Sequence, residues 1–220
     1  MKTIRCSILC FVVLLLAAPL LRGQDLSKYR TFSLGTSLAT VLKHTDQKLA
    51  DARVIYTRPA LIQELTWWPP NLLGNSYQAD SVQQMLFSFY NGELYRITVI
   101  YDRTSTEGLT ADDMVKFITA KYGPATFVDL AIDFTPGQRE EPVASWNDSQ
   151  FSSNLVRSSL TGGFELVIYS KKISAEAELA LAEAVKLDKQ EGPQREIDRQ
   201  KKETDALEVM RLKNRKSFRP

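Results

Sequence analysis

Two amphipathic helical patterns stand out in the central part of the chain. Each follows a glycine by two residues, and its first position is a hydroxyl residue, Ser37 in one case and Thr110 in the other. We expect these side chains to cap the helices, because the first N–H groups of a helix have no partner inside it. The first pattern fades near His44, and the second ends at Gly123–Pro124, a typical helix stop.

Strand patterns follow each helix. Alternating apolar and polar positions are typical of strands with one face against a core. The alternation predicts eight strands at 53–57, 60–68, 82–90, 94–102, 126–130, 143–147, 151–160 and 164–170. These patterns together predict an α+β fold. Two tandem repeats, each consisting of a helix and an antiparallel meander, would form one layered domain. The domain would span 30–172, with repeats at 30–103 and 106–172.

The hairpin around Asn91–Gly92 allows a closer prediction. A two-residue loop would place Phe87 opposite Arg96. A three-residue loop, residues 90–92, shifts the register by one and gathers the apolar side chains of both strands on one face. Because such a slip moves every side chain to the other face, the consistent apolar face favours the three-residue loop, with Gly92 in the left-handed conformation.

The N-terminal segment has the pattern of a secretory signal peptide. Lys2 and Arg5 precede an almost purely apolar run over 6–21, which is shorter than the roughly 20 residues of a membrane-spanning helix. We expect residues 1–23 to be removed, with cleavage after Ala18 or an uncleaved anchor as the alternatives. The protein would then be periplasmic or secreted and would keep no membrane span.

Composition adds two constraints. The chain has 220 residues, 44% of them hydrophobic and 25% charged, as in soluble globular proteins. Cys6 and Cys10 both lie in the predicted leader, so the mature chain is expected to contain no cysteine and no disulfide. Residues 24–170 carry 12 basic and 16 acidic side chains, a mildly acidic balance that argues against binding to nucleic acid.

The residue pattern over 173–220 predicts a charged helical tail that is partly disordered. Ser174 is a candidate cap for a helix that would stop at Gly192–Pro193. The residues beyond it are mostly charged and keep no sustained heptad, which predicts an exposed, partly formed helix rather than a coiled coil.

The sequence offers few groups for catalysis. It contains no nucleophile-elbow, zinc-protease, phosphate-loop or dinucleotide-binding motif. His44 is expected to be a surface histidine, Asp112–Asp113 to favour the positive end of a helix dipole, and Glu140–Glu141 to lie in a solvated loop. We therefore predict no catalytic residue, no metal site and no cofactor.

An aromatic sheet face is the best candidate for binding. Ile62, Glu64 and Trp68 share one side of the second predicted strand, and Tyr90 and Arg96 lie on the outward side of the following hairpin. Tryptophan, tyrosine and arginine are enriched at the centres of protein interfaces. The alternative is that the C-terminal helix or the other repeat covers this face.

Several of these features together resemble a group of small exported α+β domains of bacteria. They are the glycine–hydroxyl helix starts, the Tyr122–Pro124 helix end, the hairpin at 90–94 and the strand containing Trp146. The group includes the small lipoprotein of the outer-membrane β-barrel assembly machinery and the β-lactamase-inhibitor-protein fold. The resemblance implies binding or scaffolding in the periplasm without catalysis, although no cysteine follows the apolar run to carry a lipid.

We therefore expect a non-enzymatic exported binding or adaptor protein whose partner is an envelope protein. One alternative is an envelope hydrolase that uses carboxylates brought together by the fold. The other is a structural envelope protein whose basic end, Arg211 to Arg219, contacts anionic lipid or cell wall.

Overall fold

A mixed α+β architecture is present in the computed structural model, which describes residues 25–70, 80–128, 142–157 and 163–219. The α-helices are α1 (Leu38–Thr45), α2 (Ala111–Tyr122) and α3 (Lys171–Ser217), with a short 3₁₀ turn at Leu49–Asp51. The strands are β1 (Lys28–Tyr29), β2 (Phe32–Ser33), β3 (Arg53–Tyr56), β4 (Ile62–Trp67), β5 (Val82–Tyr90), β6 (Glu93–Tyr101), β7 (Phe127–Val128), β8 (Pro142–Asn147), β9 (Phe151–Arg157) and β10 (Phe164–Ser170). The predicted α+β class is confirmed.

One eight-stranded antiparallel sheet organises the fold, in the order β3-β4-β5-β6-β10-β9-β8-β7. Each half of the chain contributes four neighbouring strands, and the last strands of the two halves, β6 and β10, pair at the centre. The strand order is therefore symmetric about the β6–β10 pair, with the first strand of each half at an edge of the sheet. A duplication that produced the two halves stays a prediction. Residues 129–130 and 158–160, predicted as strand ends, lie outside the described residues, and the small hairpin β1–β2 was not predicted.

The predicted helix caps are confirmed. The Ser37 hydroxyl accepts from the backbone N–H of Thr40 at 3.3 Å. The Thr110 hydroxyl accepts from the N–H of Asp113 at 3.2 Å, and the Asp113 carboxylate accepts from the N–H of Thr110 at 2.9 Å. Helix α2 ends at Gly123, which has a positive φ of 76°. Local sequence signals therefore fix both ends of α2.

The face of the sheet that we call the core face is covered by α1, α2 and the β1–β2 hairpin. Its largest side chains are completely buried: Leu65, Met85, Phe87, Phe89, Ile97, Leu155 and Ile168. Trp146, 1% exposed, also donates its indole N–H to the carbonyl of Gly123 at 2.8 Å. This bond fastens the second meander to the end of α2.

The β5–β6 hairpin corrects the predicted loop. Its loop has two residues, Asn91 and Gly92, with φ of 51° and 83°. The extra residue is Tyr95, a β-bulge in β6, and it restores the expected register so that Phe87 lies opposite Ile97. The predicted loop length is thus wrong and the shared apolar face is confirmed, because a bulge shifts the register by one residue just as a longer loop would.

Helix α3 differs from the prediction at both of its expected ends. It begins at Lys171, immediately after β10, rather than at Ser174, and it continues through Gly192–Pro193 to Ser217. An ion pair of 2.6 Å between Arg195 and Asp188 spans the proline and supports the helical path where a Gly–Pro pair normally stops a helix.

Candidate functional site

The predicted binding residues lie on the second face of the sheet, which we call the outer face. The strand register places Ile62 opposite Tyr90, and places Glu64 opposite Ser88, which in turn lies opposite Arg96. The alternation of the strands therefore brings four of the five predicted residues together in two adjacent rows. The fifth, Trp68, follows the end of β4.

The first part of α3 packs on this end of the outer face. Its buried side is a ridge of small residues, Ser174, Ala177, Ala180 and Ala184. Small side chains let the helix backbone approach the sheet closely, and the ridge follows helical spacing. Helix α3 therefore covers part of the surface that was predicted to bind a partner.

Arg96 is the polar anchor of this contact. Its guanidinium donates to the Ser174 hydroxyl at 3.1 Å and lies 3.5 Å from the Glu178 carboxylate. The same group lies 5.8 Å from the ring centroids of both Tyr95 and Tyr169. Because these contacts hold Arg96 against α3, it serves the helix contact rather than an open surface.

The neighbouring predicted residues are also engaged within the chain. Ile62 is 2% exposed and is buried together with Ala60 and Ala180, with Tyr90 packed against them. Glu64 pairs with Arg53 on the next strand at 2.8 Å. The alternative in which the C-terminal helix covers the face therefore holds for this end of the sheet.

Trp68 is different, because 60% of its surface is exposed. The outer face beyond α3 is lined by side chains that are half-buried: Thr66, Leu86, Thr98 and Ile100. Thr66, Leu86 and Thr98 lie in one row across β4, β5 and β6. We call this part, together with Trp68, the open half of the outer face. It is a mixed apolar and hydroxyl surface next to a helix.

The two acidic residues and the histidine that were considered as catalytic groups make structural contacts. Asp112 pairs with Lys116 one turn along α2, and Asp113 caps the helix with Thr110. The hydrogen bond from Thr110 lowers the pKa of Asp113. His44 is exposed, with its ring edge-on to Phe32 at 6.2 Å. Glu140–Glu141 lie outside the described residues. Among the residues that the structure describes, no three side chains of His, Cys, Asp or Glu are grouped so that they could hold a metal ion.

The sequence did not indicate a second site, a cavity of about 530 Å³ between α2 and the core face. Tyr29, Tyr101 and Tyr122 line it together with Lys121. Tyr122 belongs to the predicted end of α2, and Tyr101 lies near the end of the strand predicted at 94–102. Their contact with the same cavity as Tyr29 depends on the β1–β2 hairpin, which no periodic pattern of residues predicts.

Comparisons with models of protein families, with curated proteins and with solved structures found no match to this chain. Across residues 25–70, 80–128, 142–157 and 163–219, no helix is both long and apolar enough to cross a membrane.

Proposed function

We propose that the chain is an exported, non-enzymatic binding or adaptor protein that acts by contact with another envelope protein. The leader pattern at residues 1–23 supports export to the periplasm or the medium. The resemblance to small exported bacterial domains supports binding rather than catalysis. The adjacent acids Asp112 and Asp113 on α2 are engaged by Lys116 and Thr110.

The exposed Trp68 at the open half of the outer face carries this proposal. A tryptophan that is 60% exposed, two residues after the half-buried Thr66, offers the aromatic anchor that interface centres favour. The adjacent half of the same face is already covered by α3. Since helices pack about 8–10 Å apart, a second helix laid beside α3 would cover the open half. The partner element that fits is an amphipathic helix of another protein.

The test is capture of envelope proteins on three immobilised forms of the chain. We expect wild type and Leu49→Ala to retain the same partner, and Trp68→Ala to lose it. Leu49 is the matched control because it is 68% exposed and belongs to the 3₁₀ turn. Equal retention by all three forms would contradict the use of the open half.

The basic end of α3 supports a second candidate function, contact with an anionic surface. Residues 209–219 contain five basic side chains and no acidic one, and all are exposed. Helical geometry places this end about 40 Å beyond Gly192. Each basic residue near an anionic membrane contributes about 1 kcal/mol.

Vesicle sedimentation separates this candidate from the first. We expect salt-sensitive sedimentation with phosphatidylserine-containing vesicles that is lost on truncation after Glu208, while Trp68→Ala sediments like wild type. Sedimentation that survives the truncation would exclude the basic end.

A further inference from the structure

The cavity between α2 and the core face has an apolar lining with a polar rim. Its apolar residues come from α2, from β10 and from the segment before α2: Leu109, Met114, Phe117, Ile118 and Leu166. A volume of about 530 Å³ lies within the range of pockets that hold small organic ligands, roughly 300–1,000 Å³. A second cleft, of about 620 Å³, is bordered by Glu93, Lys172 and Glu176 and offers a less apolar environment.

Phe117 stands at the rim of this cavity with 61% of its surface exposed. Its neighbours on α2, Met114 and Ile118, are buried, so Phe117 lies at the edge of the apolar stripe of the helix. An exposed phenyl ring at the mouth of an apolar cavity extends the surface on which a hydrocarbon chain can lie.

Lys121 gives the cavity its charge. It is the one charged residue among the described lining residues. Its Nζ atom lies 4.3 Å from the ring centroid of Tyr29 and 4.9 Å from that of Tyr122. Within the described parts of the chain, its ammonium group has no hydrogen bond or ion pair. The cation is thus held over aromatic rings with room for an anion.

Arg30, which lies near Tyr29, is paired with a carboxylate. Its guanidinium donates two hydrogen bonds to the Asp80 carboxylate, at 2.7 and 2.6 Å. The surrounding rings partly remove the ammonium group of Lys121 from water, which lowers its pKa although the residue as a whole is exposed, and the positive charge of Arg30 lowers the pKa further. A bound anion would offset both effects.

Two phenol groups supplement the cation. The Tyr122 hydroxyl already donates to the carbonyl of Lys28 at 2.8 Å. Tyr29 and Tyr101 also line the cavity, and burial is the main cause that raises the pKa of each, well above the usual value for Tyr101. Both phenols therefore stay protonated at neutral pH. Their hydroxyls are hydrogen-bonded to each other, so one of the two protons is left to donate to an oxygen atom of a ligand.

We propose that this cavity binds a single-chain amphiphile with an anionic oxygen head group, with its chain against the apolar lining and its head group at Lys121. Free fatty acids and single-chain phospholipids share this chemistry. The site lies on the core-face side of the sheet and is independent of the open half of the outer face.

Calorimetric titration of the protein expressed from its full-length sequence tests the site. The ligands are dodecanoate, dodecyl phosphate, dodecanol and dodecyltrimethylammonium, each below the concentration at which it forms micelles. We expect both anions to bind at least tenfold more tightly than the alcohol and the cation. The stronger of the two anions tells whether a carboxylate or a phosphate head group fits better.

Variants on α2 assign the binding to this cavity. Lys121→Gln should weaken dodecanoate binding about tenfold and leave dodecanol binding unchanged, because a charge-assisted hydrogen bond contributes to the anion alone. Phe117→Ser should weaken both ligands. Lys116→Gln is the matched control, since Lys116 pairs with Asp112 and does not line the cavity.

Circular dichroism spectra verify that the variants fold, and all three substituted positions are exposed. The proposal is overturned if the wild type binds none of the ligands, if it binds all four equally, or if Lys121→Gln and Lys116→Gln have the same effect.

Discussion

The two faces of the central sheet are covered in different ways. On the core face, α1 and α2 pack on large side chains, and Met85, Phe87 and Ile97 are completely buried. On the outer face, α3 offers small residues such as Ala177 and Ala180, with the polar contact of Arg96 to Ser174. Burial of a large apolar side chain stabilises a fold by about 1.5–3 kcal/mol, and an alanine methyl contributes much less.

Substitutions on the two faces should therefore have different effects. The core face holds the domain together, so substitutions there should unfold it. Within the described residues, α3 contacts the outer face through small and polar side chains, and Trp68 and Leu86 keep part of their surface exposed. A surface that is only partly covered leaves apolar side chains for contact with a partner.

The largest effect is expected on the core face. Phe87→Ala should lower the free energy of unfolding by about 3–5 kcal/mol, because it leaves a cavity at a position with no exposed surface. Urea denaturation measures this loss. Leu86→Ala, its neighbour on the open half, should cost clearly less because Leu86 is half-buried. Equal losses would remove the distinction between the faces.

A smaller effect is expected under α3. Ala177→Leu should lower the free energy of unfolding by about 1–3 kcal/mol, because the added carbons have no space between the helix and the sheet. Ala182→Leu on the exposed side of the same helix is the control and should change stability by less than about 0.5 kcal/mol. If Ala177→Leu were as harmless as this control, α3 would not pack on the outer face.

The cap of α2 should contribute less again. Thr110→Ala removes the acceptor for the Asp113 N–H and should cost about 1 kcal/mol in thermal or urea unfolding. Thr110→Ser keeps the hydroxyl and should stay close to wild type. A matching loss in both variants would show that the threonine methyl, and not the cap, matters.

The smallest effect is expected for the far part of α3. Truncation after Gly192 removes residues that are all exposed in their described part, 193–219. The melting temperature should change little, since these residues add no buried contact to the sheet. A fall of many degrees would mean that the basic end packs on the domain.

Sequence reasoning was most successful where the determinants are local. Ser37 and Thr110 were identified as caps because the first turn of a helix needs an acceptor within a few residues. The apolar face of β5 and β6 was predicted from alternation. The bulge at Tyr95 was not, because a bulge and a longer loop produce the same faces.

The errors concern interactions between residues distant in the sequence. Alternation correctly placed Ile62 and Arg96 on the outer face but could not tell that α3 covers them. Ser174 was a reasonable cap by type, yet it is buried inside α3 as the acceptor for Arg96. The cavity at Lys121 depends on Tyr29, 92 positions earlier in the sequence, and no local pattern reports such a meeting.

Thiol labelling tests most directly whether α3 divides the outer face into a covered and an open half. The measurement compares single cysteines introduced by Ile62→Cys and Thr66→Cys in a chain whose Cys6 and Cys10 are replaced by alanine. Both positions lie on the same side of β4. We predict that the cysteine at position 66 reacts at least tenfold faster, and that truncation after Ser170 abolishes the difference. Equal rates in the intact chain would contradict the division.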